Sequence, residues 1–271
     1  MSTPADIQGV MQDLLLHGQF YDMEIICQGI TFKVHRAIVC TQSKYFNSAI
    51  CDGFKESTER SIRIQEDTPE TIERVLSYLY LREYDDRGTI QCQTISEPAP
   101  SSPGDKTNDT ESTKNIALNN MRVFITADKF GIDSLQSLAT QKFSQWATKN
   151  WNSPVFPEVI QEVMASVPSY KSSLQEIIVD IIGTHVFDLI ENPGIIEVLN
   201  SFGCLGSQVI ARSIRNGQLR HPNEDNIFKE FTQKINSCRS CRQCARPFNV
   251  RIERGEYLIC IFRCSICNTR H

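Results

Sequence analysis

The sequence predicts an α+β domain followed by an all-α block and a small cysteine-rich module. Three observations indicate this order. Short segments that alternate apolar and polar residues stand between helical segments in the first 65 residues. Apolar residues then recur at helical spacing from about residue 154 to residue 235. Six of the eleven cysteines fall in the last 34 residues.

Bulk composition is that of an ordinary globular chain. It has 271 residues, 40% of them hydrophobic and 22% charged, enough for one large or two modest domains. No stretch approaches the roughly 20 apolar residues of a membrane helix. The first residues lack the pattern of a secretory signal. We therefore expect a reducing location, cytoplasm or nucleus, where paired thiols favour metal binding over disulfides.

Residues 22–27 and 30–34 predict two strands on either side of a Gln-Gly turn, with Phe32 and Val34 on one face. Residues 61–65, "SIRIQ", predict a third short strand.

Helices are predicted over residues 43–51 and 68–80. In the second helix Thr68 can cap the first turn and Pro69 suits the first helical position. Its apolar stripe consists of Ile72, Val75, Leu76, Leu79 and Tyr80.

From Gln91 to about Lys114 serine, threonine, proline and small polar residues replace the apolar pattern. Such a segment can bury little surface, which predicts a disordered insertion that acts as a solvated spacer. A phosphorylatable regulatory loop is the alternative. Helical patterning resumes at Asn115 and continues to Lys149.

A second helical region is predicted over residues 150–235. Within residues 171–190 the positions that fit one helical face are Leu174, Ile177, Ile178, Ile181, Ile182, Leu189 and Ile190. We expect His185 and Cys204 to be core or near-core residues. The region is predicted to be a scaffold that joins the two ends; the alternative is that it widens a partner contact.

Short motifs in a fixed order mark residues 15–146. They are Asp22, "FKVHRAIVC", Ser43 with "YF", "GFKES", "YLY" and "ADKFGI". Each is common alone, but together at this spacing they resemble the BTB/POZ domain, in particular that of fungal BTB proteins. The resemblance implies a short sheet flanked by helical hairpins. A lone histidine at a strand-to-helix junction favours a structural role for His35.

The resemblance also implies a protein-interaction module that self-associates or binds a partner. Many members dock the type-three cullin scaffold of ubiquitin ligases, often through an apolar-x-Glu motif that corresponds here to Phe54 and Glu56. An exposed aromatic anchor supplies buried area, and a carboxylate sets orientation. In the alternative, Phe54 packs onto its own domain and Glu56 is a solvated surface charge.

The segment ahead of Asp22 departs from family members that form strand-exchanged dimers, which carry an additional strand and helix there. Only 21 residues precede Asp22. Five of them predict a single amphipathic helix: Ile7, Val10, Met11, Leu14 and Leu15. We therefore expect a monomer or a different dimer.

Two Cys-x2-Cys pairs, Cys241/Cys244 and Cys264/Cys267, are separated by 19 residues. Each pair can form a tight turn with both sulfurs toward one ion, the spacing of a structural zinc site. The alternation between the pairs predicts a hairpin around "RGE", so residues 236–271 resemble a zinc ribbon. We prefer these four ligands for one structural Zn²⁺ because both pairs lie outside the predicted strands. The alternatives are Cys238, Cys260 and His271.

Charge is distributed unevenly. Residues 238–271 contain seven arginines, no lysine and two glutamates, an excess of five positive charges. Because the formal net charge of the whole chain is −4, residues 1–237 carry −9. The arginines could contact nucleic-acid phosphates, the acidic body of the protein or an acidic partner.

The sequence holds no phosphate-cradling glycine loop, no His-Glu-x-x-His and no glycine-flanked nucleophilic serine, so we expect a non-enzyme. The first hypothesis is an intracellular adaptor or scaffold that presents a client to a cullin-based ubiquitin ligase. The alternative is a nuclear transcription or chromatin regulator whose basic zinc ribbon contacts nucleic acid. No membrane partner is expected.

Overall fold

The computed structural model describes residues 6–51, 60–88, 109–168, 173–217, 224–237, 240–246, 250–251 and 262–271. The chain divides into two compact units, Met1–Ile210 and Ala211–His271. Among the described helices none is by itself long and apolar enough to cross a membrane. The helix pair Pro193–Ser201 and Gly203–Arg215, bent by 113° at its junction, reaches that length and apolarity only when taken together.

A three-stranded sheet opens the first unit. Its strands are β1 (Met23–Cys27), β2 (Ile30–Val34) and β3 (Ser61–Ile64), in the order β2-β1-β3. β1 and β2 are antiparallel, and the turn between them has positive φ at both Gln28 (46°) and Gly29 (86°), as a two-residue hairpin turn requires. β3 runs parallel to β1. The predicted hairpin and third strand are confirmed, with alternate residues buried: Met23, Ile25, Cys27, Phe32, Val34, Ile62 and Ile64.

Four helices surround this sheet: α1 (Ile7–His17), α2 (Arg36–Gln42), α3 (Lys44–Cys51) and α4 (Pro69–Leu81). α1, α2 and the helix that follows α4 all contact α4. The residues from Thr71 to Tyr80 are buried on every side. The predicted apolar stripe is therefore confirmed, but the helix is the centre of the domain and not an amphipathic helix at its surface.

The cap of α4 is the one that the sequence predicts. Thr68 Oγ1 accepts a hydrogen bond from the Thr71 backbone N–H at 3.4 Å, and Pro69 occupies the first helical position. The helix ends at Arg82, which has a left-handed backbone (φ 61°).

His35 is a structural residue, as predicted. Its backbone N–H donates to Tyr80 Oη at 2.9 Å, and its Nδ1 lies 2.7 Å from the same hydroxyl. Its Nε2 lies 2.6 Å from the carbonyl oxygen of Gln19. Asp22 Oδ1 accepts from the Arg36 backbone N–H at 2.8 Å, where α2 begins. These contacts tie the sheet, α2 and α4 together.

Two further landmark motifs meet in space. Ser43 Oγ donates to the carbonyl oxygen of Phe130 at 2.7 Å. The Phe130 ring lies 4.9 Å from that of Tyr45 and 4.8 Å from that of Phe46, centroid to centroid. Gly131 follows with φ 65°, which a glycine adopts without strain.

A helical hairpin, α5 (Asp109–Lys129) and α6 (Asp133–Asn150), completes the domain. α5 begins within the predicted insertion, so residues 109–114 are helical. The Thr113 carbonyl accepts from Trp146 Nε1 at 2.8 Å, and Lys114 pairs with Glu158. The rest of the predicted insertion lies outside the described residues.

Residues after 150 are helical, which confirms the predicted all-α block. The helices are α7 (Phe156–Ser166), α8 (Ser173–Thr184), α9 (Val186–Leu189), α10 (Pro193–Ser201), α11 (Gly203–Arg215) and α12 (Glu224–Ser237).

Three details of this block differ from the sequence-based expectation. The pattern over residues 171–190 is broken at His185, which stacks on Trp151 with centroids 3.8 Å apart and is half-buried. Ile190 is 48% exposed because the short α9 turns its last residue outward. The expectation that Cys204 is a core residue is wrong: it lies on the outer face of α11, whereas its neighbour Leu205 faces inward.

The second unit contains α12 and a short antiparallel pair, β4 (Val250–Arg251) and β5 (Arg263–Cys264). Val250 lies opposite Cys264. The expectation that both cysteine pairs lie outside the strands is therefore wrong for Cys264. The predicted "RGE" turn lies outside the described residues. The predicted domain limits of 15–146, 150–235 and 236–271 stay predictions.

Candidate metal centre

Four thiols converge in the second unit. One ligand atom from each of Cys241, Cys244, Cys264 and Cys267 lies within 4.8 Å of the others. Cys241 Sγ is 3.5 Å from Cys267 Sγ, and Cys244 Sγ is 3.8 Å from Cys264 Sγ. A tetrahedral zinc ion with Zn–S bonds of about 2.3 Å separates its sulfurs by about 3.8 Å. The cluster could therefore hold one metal ion of this kind.

The first pair lies in a tight loop closed by two backbone hydrogen bonds. The Cys241 N–H donates to the Arg246 carbonyl at 3.1 Å, and the Ala245 N–H donates to the Cys241 carbonyl at 2.8 Å. Ala245 has a left-handed backbone, φ 54°. This conformation is unfavourable for alanine by about 1–2 kcal/mol, so the loop needs a compensating interaction.

The second pair repeats this loop at the same offsets. The Cys264 N–H donates to the Thr269 carbonyl at 3.0 Å, and the Asn268 N–H donates to the Cys264 carbonyl at 2.8 Å. Asn268 corresponds to Ala245 and also has positive φ, 58°. Two copies of one loop thus face each other, and each contributes two sulfurs to the cluster.

Electrostatics favour a cation between these sulfurs. The Thr269 hydroxyl and backbone lower the pKa of the Cys267 thiol to about 6. A hydrogen bond with the Arg246 backbone favours the Cys244 thiolate, but desolvation and the neighbouring thiols raise the pKa of Cys244 to about 11. Thiolates this close repel one another unless a positive ion compensates them. Because the thiolate is the form that binds metal, a divalent cation would resolve the conflict.

His271 stands beside the four sulfurs. Its Nε2 lies 3.4 Å from Cys241 Sγ, and its ring stacks on Phe262 with centroids 5.8 Å apart. Burial lowers the pKa of His271, and the charges of Arg242 and Lys234 lower it further, so the neutral imidazole is favoured. The histidine can therefore support Cys241 from outside the group, or replace a thiol within it.

Helix α12 packs on this module, which sequence reasoning missed. Phe231 meets Phe262 edge-on at 5.9 Å, and both side chains are buried. Lys234 Nζ lies 5.8 Å from the centroid of the same Phe262 ring. The available signal was an aromatic residue on the helix immediately ahead of the cysteines.

Several predicted site residues cannot be placed. Cys238 and Cys260, the alternative thiol ligands, lie outside the described residues, and so do Phe54 and Glu56. The partner contact predicted for Phe54 and Glu56 stays a prediction.

The sheet and the buried α4 lie within the part of the chain that a family model recognises. The model for the BTB/POZ domain matches residues 11–94. The chain contains a BTB/POZ domain. Members of this family are interaction modules and not enzymes, which at the level of the domain agrees with the expected absence of catalysis. The fungal origin suggested by the motifs stays a prediction.

The BTB/POZ segment is similar to two curated relatives. Kelch-like protein 40 of Xenopus laevis is 29% identical over 77 residues, and Kelch-like protein 40 of Xenopus tropicalis is 27% identical over 77 residues. Each match covers 28% of this chain and 12% of the relative. The chain therefore corresponds to about one eighth of the length of these relatives.

Two solved structures align with the chain. The BTB domain of zebrafish PATZ1 has 14% identity and a TM-score of 0.34, covering 54% of this chain and 99% of that domain. The BTB domain of human Gigaxonin has 13% identity and a TM-score of 0.31, covering 52% of this chain and 96% of that domain.

Proposed function

We propose that the protein is a non-enzymatic adaptor that binds protein partners through its BTB/POZ domain and carries a zinc-stabilised C-terminal unit. The observation that carries this proposal is the BTB/POZ match over residues 11–94, on a domain whose landmark residues make the structural contacts described above. A rigid domain of this kind presents its surface for docking without a large ordering penalty.

Exposed apolar side chains at the start of this domain support a docking role. Ile7 is 75% exposed and Phe20 is 87% exposed. Phe20 has a left-handed backbone, φ 63°, an unusual conformation for an aromatic residue. Val10 and Tyr21, in the same segment, are also exposed. Large apolar groups left in water commonly mark interaction surfaces, including those for self-association.

The finer proposal is that the partner is a cullin scaffold, which would make the protein a substrate adaptor of a ubiquitin ligase. It rests on the Phe54-x-Glu56 motif that precedes β3 and on the resemblance to cullin-docking BTB proteins. The client would be held by other parts of the protein.

A competition pull-down tests this contact. The full chain with Phe54→Ala and Glu56→Ala should lose retention on the type-three cullin. The matched control, Phe187→Ala with Glu191→Ala, changes an exposed aromatic and an exposed glutamate in the helical block and should keep it. Equal retention by both double variants would exclude this contact.

The zinc-stabilised unit is the second part of the proposal. Cys241, Cys244, Cys264 and Cys267 would hold one structural ion, which for small zinc peptides contributes about 10–16 kcal/mol to folding. A site built from four thiols persists only where thiols stay reduced, so we place the protein in the cytoplasm or nucleus.

A further inference from the structure

We propose that the second unit binds duplex nucleic acid through the phosphate backbone, without preference for base sequence, by means of Arg242, Arg246, Arg270 and Lys234. This inference does not depend on the cullin contact. It depends on the proposed zinc ion only because that ion would fold the unit.

The two units carry opposite charge. Ala211–His271 contains ten arginines and two lysines against five acidic residues, an excess of seven positive charges. Since the whole chain has a net charge of −4, Met1–Ile210 carries −11. Four thiolates with one divalent ion would lower the charge of the second unit to about +5. A strongly basic unit of about 60 residues is the electrostatic footprint of a phosphate-binding module.

The structure brings positive groups from three segments to one place. Arg242 Nη2 donates to the Arg270 carbonyl at 2.9 Å, which joins the first cysteine loop to the second. Lys234 comes from α12 and lies over the Phe262 ring. Arg246 closes the first loop and, like Arg242, Arg270 and Lys234, is exposed. The cations thus surround the Phe262–His271 stack.

The chemistry of these cations favours phosphate over a protein surface. Between residues 238 and 271 every basic residue apart from His271 is an arginine, and the planar guanidinium matches phosphate oxygens with two parallel hydrogen bonds. Protein hot spots instead depend on aromatic anchors. In the part of this unit that the structure describes, Phe231 and Phe262 are buried against each other, and the large apolar residues left exposed are Ile214 and Ile266.

The same observation favours a duplex over a single strand. Single-strand binding proteins stack bases on exposed aromatic side chains. The aromatic rings placed in this unit are used for packing α12 onto the cysteine loops. What the described surface offers is positive charge, which matches the regular phosphate rows of a duplex.

Fluorescence anisotropy of the zinc-loaded full chain on a random-sequence duplex of about 20 base pairs tests the proposal. Between about 50 and 200 mM salt we expect log K to fall against log salt with a slope of about −3 or steeper, corresponding to three or more phosphate contacts. The variant Arg242→Gln/Arg246→Gln/Arg270→Gln should reduce the magnitude of this slope by about 3 and weaken binding roughly tenfold or more.

The control variant removes the same number of exposed arginines from the first unit, Arg63→Gln/Arg87→Gln/Arg122→Gln, and should leave the slope unchanged. Zinc content is measured on every protein. If the triple variant of the second unit loses zinc, the single variant Arg246→Gln takes its place, with an expected slope change of about 0.9.

The proposal is overturned if the wild-type chain does not bind duplex at about 50 mM salt, or if both triple variants weaken binding equally. It is also overturned if poly-L-glutamate of equal charge displaces the duplex as efficiently as unlabelled duplex does, because the arginines would then select an acidic protein. Tighter binding of a single strand would exclude the duplex preference. A chain that holds no zinc would refute the metal proposal separately.

Discussion

The ring of Phe231 meets the ring of Phe262 edge-on, with centroids 5.9 Å apart and an interplanar angle of 76°. Phe231 belongs to α12, and Phe262 immediately precedes β5. A module of this size has little core of its own, so the helix supplies apolar surface that the cysteine loops lack. The helix and the loops therefore depend on each other for stability.

Phe231→Ala should destabilise the second unit by about 3–5 kcal/mol, the usual effect of removing a buried aromatic ring. Guanidinium titration of the full chain, with zinc release followed by a chromogenic chelator, measures this directly. Ile266→Ala, at a side chain that is 49% exposed, is the control and should have little effect. Equal midpoints for the two variants would show that α12 does not stabilise the cysteine loops.

Substitution of the thiols should separate ligands from neighbours. Serine at Cys241, Cys244, Cys264 or Cys267 should abolish stoichiometric zinc binding, whereas Cys204→Ser, at an exposed cysteine, should retain it.

His271→Ala should keep the ion but weaken its affinity roughly 10- to 100-fold, because groups that support a ligand tune the metal without holding it. Competition with a chelator of known affinity gives the values. Loss of the ion in His271→Ala together with its retention in Cys267→Ser would mean that the histidine is the fourth ligand.

Tyr80→Phe should destabilise the BTB/POZ domain by about 1–3 kcal/mol, because the His35 backbone N–H and imidazole lose their partner in a partly buried position. Chemical denaturation of the full chain measures the change. Tyr21→Phe removes a hydroxyl from a side chain that is 42% exposed and should be nearly neutral. A similar loss of stability in both variants would refute the structural role of the His35–Tyr80 pair.

Gly131→Ala should also destabilise the domain. A Cβ at this position would lie 3.3 Å from Lys44 Cβ, and the positive φ of 65° disfavours a side chain by about 1–2 kcal/mol. Gly9→Ala is the matched control, because nothing lies within 4 Å of its added Cβ. Within α1 that change should stabilise by about 0.5–1 kcal/mol. Thermal melts of the two variants should therefore shift in opposite directions, and a shift in the same direction contradicts the account.

Local signals predicted the parts of the fold whose determinants lie close together in sequence. The β1–β2 hairpin follows from alternation around a Gln-Gly turn, and the start of α4 follows from Thr68 and Pro69. The convergence of the four cysteines follows in the same way, since each pair forms its own loop and the hairpin brings the loops together.

Features that depend on distant partners were not predictable. Residues 109–114 have the composition of a spacer, but Trp146 and Glu158 hold them as the first turns of α5. Periodicity showed that α11 is amphipathic without showing on which side Cys204 lies. The packing of α12 on the cysteine loops depends on Phe262, about 30 residues further along the chain, which helical spacing does not register.

Elemental analysis of the purified full chain tests the central claim most directly, combined with hydrogen exchange of residues 240–246 and 262–271. We expect one zinc ion per chain, slow exchange of the Ala245 and Asn268 amides in the metal-bound protein, and loss of that protection on chelation. A metal-free protein whose two loops remain protected would contradict the account.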